Sequence, residues 1–164
     1  MQGCNQFQEE KQMHVILVEP EIPQNTGNIS RTCVLTDSEL HLVKPLGFSL
    51  DDRHLKRAGL DYWPHLKLHL HDSFASLSGR YPEARFLFFS VKGGTLYTDF
   101  AYRDDDFLVF GSETSGFPEG FLQEGQTVLR MPMNRNIKRS LNLSNAVAIV
   151  LYEALRQQDF PRMK

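Results

Sequence analysis

Apolar residues fall into short runs separated by polar, turn-forming segments, and the period within the runs alternates along the chain. His14-Val-Ile-Leu-Val-Glu19 is a β-branched run closed by Pro20 and Pro23, which predicts a buried strand. From Gln24 to Leu35, polar cappers precede Ile29, Cys33 and Val34 at helical spacing. The same alternation then recurs. Leu40 to Val43 predicts a second strand ending in Lys44-Pro-Leu-Gly-Phe48, and Ser49 with Asp52 resembles a capping box for a helix through about Arg57. Leu66, Leu68 and Leu70 alternate with His65, Lys67, His69 and His71, which predicts a half-exposed third strand whose histidines form a polar face. Asp72 is placed to cap a short helix through Leu77. Arg85 to Ser90, Phe107 to Phe110 and Thr127 to Met131 predict strands four, five and six, and a last helix spans about Leu143 to Gln157.

Strands alternating with helices argue for an α/β fold, a mostly parallel six-stranded sheet with helices on both faces. Residues 1–13 are polar and aperiodic, and are expected to form a flexible arm. Residues 14–164 show no repeat or linker and are expected to form one domain. The last helix carries a further expectation. Ala146 to Tyr152 is apolar on every side, whereas a surface helix keeps a polar stripe, so a two-fold copy of the chain is expected to cover its second face as a homodimer.

Composition narrows the function classes. With 41% hydrophobic and 23% charged residues the chain is neither disordered nor membrane-embedded, and its longest apolar run is too short to span a bilayer. Cys4 and Cys33 are too few for a secreted disulfide scaffold, so a soluble cytoplasmic protein with no membrane partner is expected. A net charge of −2 excludes a globally basic coat, and any polyanion must be met by a local patch. Arg130 to Arg139 supplies one, with four basic residues and no acid: Arg130, Arg135, Lys138 and Arg139.

In an open parallel sheet, ligands bind beyond the carboxyl ends of the strands. After strand one, Gly27 permits close backbone approach and Arg31 offers a bidentate grip on phosphate, unless the segment is simply a capped helix start with a solvated arginine. Ser90-Val-Lys-Gly-Gly-Thr95 and Gly111-Ser-Glu-Thr-Ser-Gly-Phe-Pro-Glu-Gly120 follow strands four and five, and fit neither the dinucleotide nor the Walker pattern. Either is also compatible with an ordinary glycine-rich turn. Glu113 stands where a carboxylate pairs with a cationic group. Ser140-Leu-Asn-Leu-Ser-Asn145 opens the last helix with free backbone N–H groups. No metal site is expected. His65, His69 and His71 read as an exposed polar face without a carboxylate or thiolate pattern, and Asp104-Asp-Asp106 as a solvated turn.

Together these loops resemble the SpoU branch of the SPOUT methyltransferases, from about His14 to Pro161. The motifs are Asn25-Thr-Gly-Asn-Ile-Ser-Arg31, Phe110-Gly-Ser-Glu-Thr-Ser-Gly-Phe-Pro118, and Met131-Pro-Met133 followed by Arg139-Ser-Leu-Asn-Leu-Ser-Asn-Ala-Val147. Arg57-Ala-Gly-Leu-Asp-Tyr62 resembles the minimal members, tRNA (cytidine/uridine-2′-O)-methyltransferases acting on the wobble nucleotide. Ser112 and Leu141 replace the more common Pro and Met.

The resemblance implies S-adenosylmethionine as donor, tRNA as partner, a C-terminal trefoil knot, a homodimeric site and no metal. It implies donor contacts from Phe89, Gly111, Glu113, Met131, Ser140, Leu141 and Asn145, with glycine at 111 removing a side chain from the donor wall. Arg31 is expected to clamp phosphate, since a guanidinium is a poor base, while Asn25, Ser140 and Asn142 orient the ribose. Arg31, Arg53, Arg57, Arg135, Lys138 and Arg139 are the expected RNA contacts. A catalytically silent RNA-binding module of the same fold, a methyltransferase of the same family acting on another RNA position, and a nucleotide-binding protein without RNA are the competing readings.

Overall fold

The computed structural model describes residues 11–51, 53, 57 and 62–164. In chain order the elements are β1 (His14–Val18), α1 (Pro23–Leu35), β2 (Glu39–Val43), β3 (Leu68–His71), α2 (Phe74–Arg80), β4 (Phe86–Phe89), β5 (Thr95–Leu96), β6 (Phe107–Phe110), β7 (Thr127–Arg130) and α3 (Leu143–Gln157). Single 3₁₀ turns lie at Trp63–His65 and Tyr97–Asp99. The helix expected through Arg57 lies largely outside the described residues. Arg53 and Arg57 themselves are exposed.

The strands form one sheet in the order β3-β2-β1-β6-β4-β7-β5, with every pairing parallel. It has seven strands rather than the expected six. The extra strand, β5, is two residues long and too short to carry a period. Gly93 explains how it reaches the sheet, because a Cβ there would stand 2.5 Å from the Leu129 carbonyl carbon of β7.

Alternation along the strands sorts the core into two layers. Val15, Leu17, Leu40, Leu42, Leu108 and Phe110 face α1 and α3, packing with Ile29, Cys33, Val147, Val150 and Leu151. Ile16, Val18, Val43, Phe88 and Val109 face the other way, against Leu77 and Phe74 of α2. Helices therefore cover both faces, and burying each large aliphatic side chain contributes about 1.5–3 kcal/mol. Burial also pushes the Cys33 thiol up to about 12, which keeps it protonated and inert.

Several local expectations are corrected. Gln12 and Met13 belong to the fold rather than to an arm: Met13 is buried, and Gln12 bonds Asp37 at 2.9 Å and accepts from Lys67 at 2.9 Å. The cap of α2 is Ser73, whose hydroxyl accepts the Ser76 N–H, while Asp72 pairs with Lys44 at 2.9 Å. Asp106 is not a solvated turn residue. It is fully buried, and its two oxygens take the Arg85 guanidinium at 2.6 Å each, offsetting the cost of burying the charge.

The histidine face of β3 is also inverted relative to expectation. His71 is buried and Leu70 is 42% exposed, because His69 and His71 point to the α2 side, beside His41 of β2 and His14 of β1. His65 lies in the preceding 3₁₀ turn, outside the strand. Burial lowers His14 to about 4 and His41 to about 2, so both rings are neutral at physiological pH.

Candidate functional site

Three loops at the carboxyl ends of β4, β6 and β7 enclose a cleft of about 1100 Å³. Phe89, Phe110, Met131, Leu141 and Leu143 make its apolar walls, and Gly111 to Pro118 forms one side. That side is a tight turn. Ser112 and Gly116 exchange backbone hydrogen bonds of 2.9 and 3.0 Å, with Gly116 at φ +69°. A Cβ on Gly111 would stand 2.3 Å from the Gly116 carbonyl carbon, so the glycine is required by the turn itself rather than by a ligand. Gly111→Ala is therefore expected to displace the 112–116 turn and weaken ligand binding by roughly 10-fold or more, as one clash of this kind costs about 1–3 kcal/mol. Calorimetry on variant and parent checks this.

A second cleft, of about 610 Å³, adjoins the first and is lined by Arg130, Arg135, Lys138 and Arg139. The two share Val91, Met131, Met133 and Ser140. An apolar cavity thus opens into a basic one, and Ser140 stands at the junction.

The cleft walls are tied to α1 by a polar relay that spans all three motifs. The N-cap position of α1, Ile22, has no side-chain cap, and Glu113, in the loop after the neighbouring strand β6, anchors the segment entering the helix. Its oxygens take the Glu21 N–H at 2.8 Å, the Ile22 N–H at 3.0 Å and Asn25 Nδ2 at 3.3 Å. Glu21 returns the link, accepting Thr114 N–H and hydroxyl at 3.2 and 2.6 Å. Asn25 is buried in α1, and its Oδ1 accepts Asn142 Nδ2 at 3.0 Å. Asn142 in turn caps α3, accepting the Ser144 N–H at 2.9 Å and the Asn145 N–H at 3.4 Å.

These contacts revise several roles. Glu113 pairs with the partial positive charge of a helix N-terminus rather than with a cationic group. The N–H groups of Ser144 and Asn145 are capped rather than free, and Asn145 lies outside the cleft lining. Asn25 is buried with each end of its amide engaged inside the protein, which makes it a positioning residue. Phe89, Gly111, Glu113, Met131, Ser140 and Leu141 do line the cleft. Arg31 lines neither cleft of its own chain. It is exposed on α1, its guanidinium 5.0 Å from the Tyr62 ring centroid. The relay through Glu21 carried no signal in the sequence, because its partners lie some ninety positions away.

Comparison with known proteins bears on this arrangement. The profile of the SpoU rRNA Methylase family matches residues 12–152. The chain belongs to the SpoU methylase family. It is 47% identical over 152 residues to the tRNA (cytidine(34)-2′-O)-methyltransferase of Methylovorus glucosotrophus, covering 89% of this chain and 96% of that one. A Bacillus subtilis (strain 168) relative, provisionally given the same name, is 51% identical over 156 residues, 93% of this chain and 97% of its own. A solved structure described as giving structural insights into 2-OH methylation of C/U34 on tRNA superposes with a TM-score of 0.85 at 45% identity, covering 91% and 97% of the two chains. SpoU membership agrees with the position of the clefts, since both are built from the loops that carry the family motifs. Among the described residues no helix is long and apolar enough to cross a membrane.

Proposed function

We propose that this chain is a tRNA 2′-O-methyltransferase, transferring a methyl group from S-adenosylmethionine to the ribose of a cytidine or uridine at the wobble position. The observation that carries the reading is the junction at Ser140, where an apolar cavity of nucleoside-plus-amino-acid size meets a basic cleft suited to phosphate. The relatives named for cytidine 34 supply the substrate class.

The larger cleft fits the donor. Phe89, Phe110, Met131 and Leu141 offer apolar surface to an adenine ring, and the 112–116 turn offers backbone polar groups to its sugar and methionine parts. When bound, S-adenosylmethionine supplies an electrophilic methyl group. The chain's own residues do the rest by positioning. Arg135, Lys138 and Arg139 hold the RNA backbone, and Ser140 reaches from the donor cleft toward the ribose. Arg31 grips the phosphate of the target nucleotide bidentately, and that phosphate accepts or relays the hydroxyl proton.

Because Arg31 lines neither cleft of its own chain, the site is completed by a second copy whose Arg31 meets this donor cleft. The surface for it is at hand: Leu35 of α1 and Ile149 and Tyr152 of α3 are exposed, the last two at 40% and 43%. The large apolar residues on the rest of α3, Leu143, Val147, Val150, Leu151 and Leu155, are buried, so it is this stripe that needs a partner. The C-terminal trefoil knot of SPOUT enzymes is part of the proposal. In its support, residues after β7 line the same cleft as the earlier loops after β4 and β6. The chain acts in the cytoplasm, where tRNA and donor meet.

The test is transfer of labelled methyl from S-adenosylmethionine to total tRNA, followed by mapping of the label. Label on a ribose at position 34 is expected. Donor binding without transfer to any tRNA would overturn the reading in favour of a silent RNA-binding module.

A further inference from the structure

At the other end of the sheet from the clefts, the parallel register stacks imidazoles and a carboxylate on the α2 side. His14 opens β1 opposite Glu39, which opens β2, and His41 lies opposite His69 of β3. His14 Nδ1 is 2.9 Å from His41 Nε2 and 3.8 Å from Glu39 Oε2. The three ligand atoms lie within 4.8 Å of one another. Donor atoms around a tetrahedral zinc ion are separated by about 3.3 Å, and the two spacings from His14 bracket that value.

We propose that His14, Glu39 and His41 form a three-ligand site for a borderline divalent transition metal of the zinc class, clamping β1 to β2 with water in the fourth position.

The surroundings are those a metal site uses. His71 Nε2 stands 3.0 Å from His41 Nδ1, so a proton held on Nδ1, with the His14 proton on its Nε2, turns both facing nitrogens into lone-pair donors and lets an ion replace the hydrogen bond between them. His69 Nε2 bonds the same Glu39 oxygen at 2.7 Å and so fixes the carboxylate. Phe107 stacks on His14 with ring centroids 3.8 Å apart, and Tyr81 meets His41 edge-on at 5.6 Å, which walls the cluster in aromatic surface. Two imidazoles and a carboxylate select Zn²⁺, Co²⁺ or Ni²⁺ over Mg²⁺ or Ca²⁺. The site takes no part in methyl transfer, since none of its residues lines either cleft.

The experiment uses untagged full-length protein stripped with a chelator and titrated with Co²⁺. Visible d–d absorption saturating at a single ion per chain, abolished by competing Zn²⁺, and a rise in melting temperature with Zn²⁺ are expected. His14→Ala and Glu39→Gln should each weaken binding by roughly 10-fold or more, while His65→Ala, at an exposed residue outside the cluster, should not change it. Circular dichroism of each stripped variant separates loss of ligand from loss of fold, and His14→Gln replaces any variant that does not fold. Absence of the chromophore and of the thermal shift in the parent would overturn the proposal. So would binding by His14→Ala and Glu39→Gln at parental affinity.

Discussion

Replacing Arg31 by alanine is expected to leave donor binding intact and to lower methyl transfer on the order of 100-fold or more. The guanidinium is exposed, lies over Tyr62 at 5.0 Å and has no ion-pair partner among the described residues, which agrees with its proposed role toward an RNA phosphate. A permanently protonated group of planar, forked shape matches a phosphate far better than it matches a proton-transfer role. Removing one partner of a charged, hydrogen-bonded pair in a closed interface costs about 2–5 kcal/mol, which corresponds to roughly 30-fold to several thousand-fold in rate. Donor binding should survive because Arg31 does not line the donor cleft of its own chain, and the Arg31 that reaches it from the second copy is aimed at the target phosphate rather than at the donor. Arg31→Lys should recover little, since an ammonium keeps the charge and loses the fork. Tyr62→Leu should cost only a few-fold, in line with the ~0.5–1 kcal/mol of an exposed cation–π contact. Calorimetry with S-adenosylhomocysteine, run beside the labelled transfer assay, checks the separation. A parallel loss of donor affinity in Arg31→Ala would remove the phosphate-clamp role.

The strands that could be read from the sequence were those buried on both faces, where a continuous apolar run admits one interpretation. β1, β4 and β6 are of this kind, and α3 was delimited by its long apolar period and the polar cluster before it. β5 escaped because its pairing with Leu129 and Arg130 is set by long-range contact rather than by its own two residues. The histidine face of β3 was misassigned for a different reason. A binary pattern scores histidine as polar, yet a neutral imidazole is at home in a core when neighbouring strands supply partners, as His14 and His41 do here. At the site, the motifs identified the right loops but not the division of labour within them. Gly111, Asn25 and Asn142 are held by contacts inside the protein: Gly111 by the turn at Gly116, and the two asparagines by a bond that joins segments more than a hundred positions apart, beyond the reach of local spacing.

Glu113→Ala is expected to destabilise the fold by about 2–3 kcal/mol and, in the protein that remains folded, to weaken donor binding. The carboxylate anchors the chain where it enters α1: its oxygens take the backbone N–H groups of Glu21 and of the N-cap residue Ile22, and the Asn25 side-chain amide. Hydrogen bonds to a charged acceptor contribute about 1.5–3 kcal/mol, and a negative charge at a helix N-terminus adds about 0.3–1 kcal/mol. Alanine removes both contributions and leaves two backbone donors without that acceptor. Glu113→Gln keeps a carbonyl oxygen for one of them and gives up the charge, so it should fall between parent and alanine. Donor binding is affected because Glu113 also holds the 112–116 turn against α1, together with the reciprocal link from Glu21 to Thr114. Glu21→Ala combined with Glu113→Ala should therefore cost less than the two single losses added together, since either one alone already loosens the same contact. Urea unfolding of the four proteins gives the stabilities and calorimetry gives the donor affinities. A Glu113→Ala protein within about 0.5 kcal/mol of the parent would show that α1 is held at its N-terminus by packing alone, and that the carboxylate's place in the cleft wall needs a different explanation.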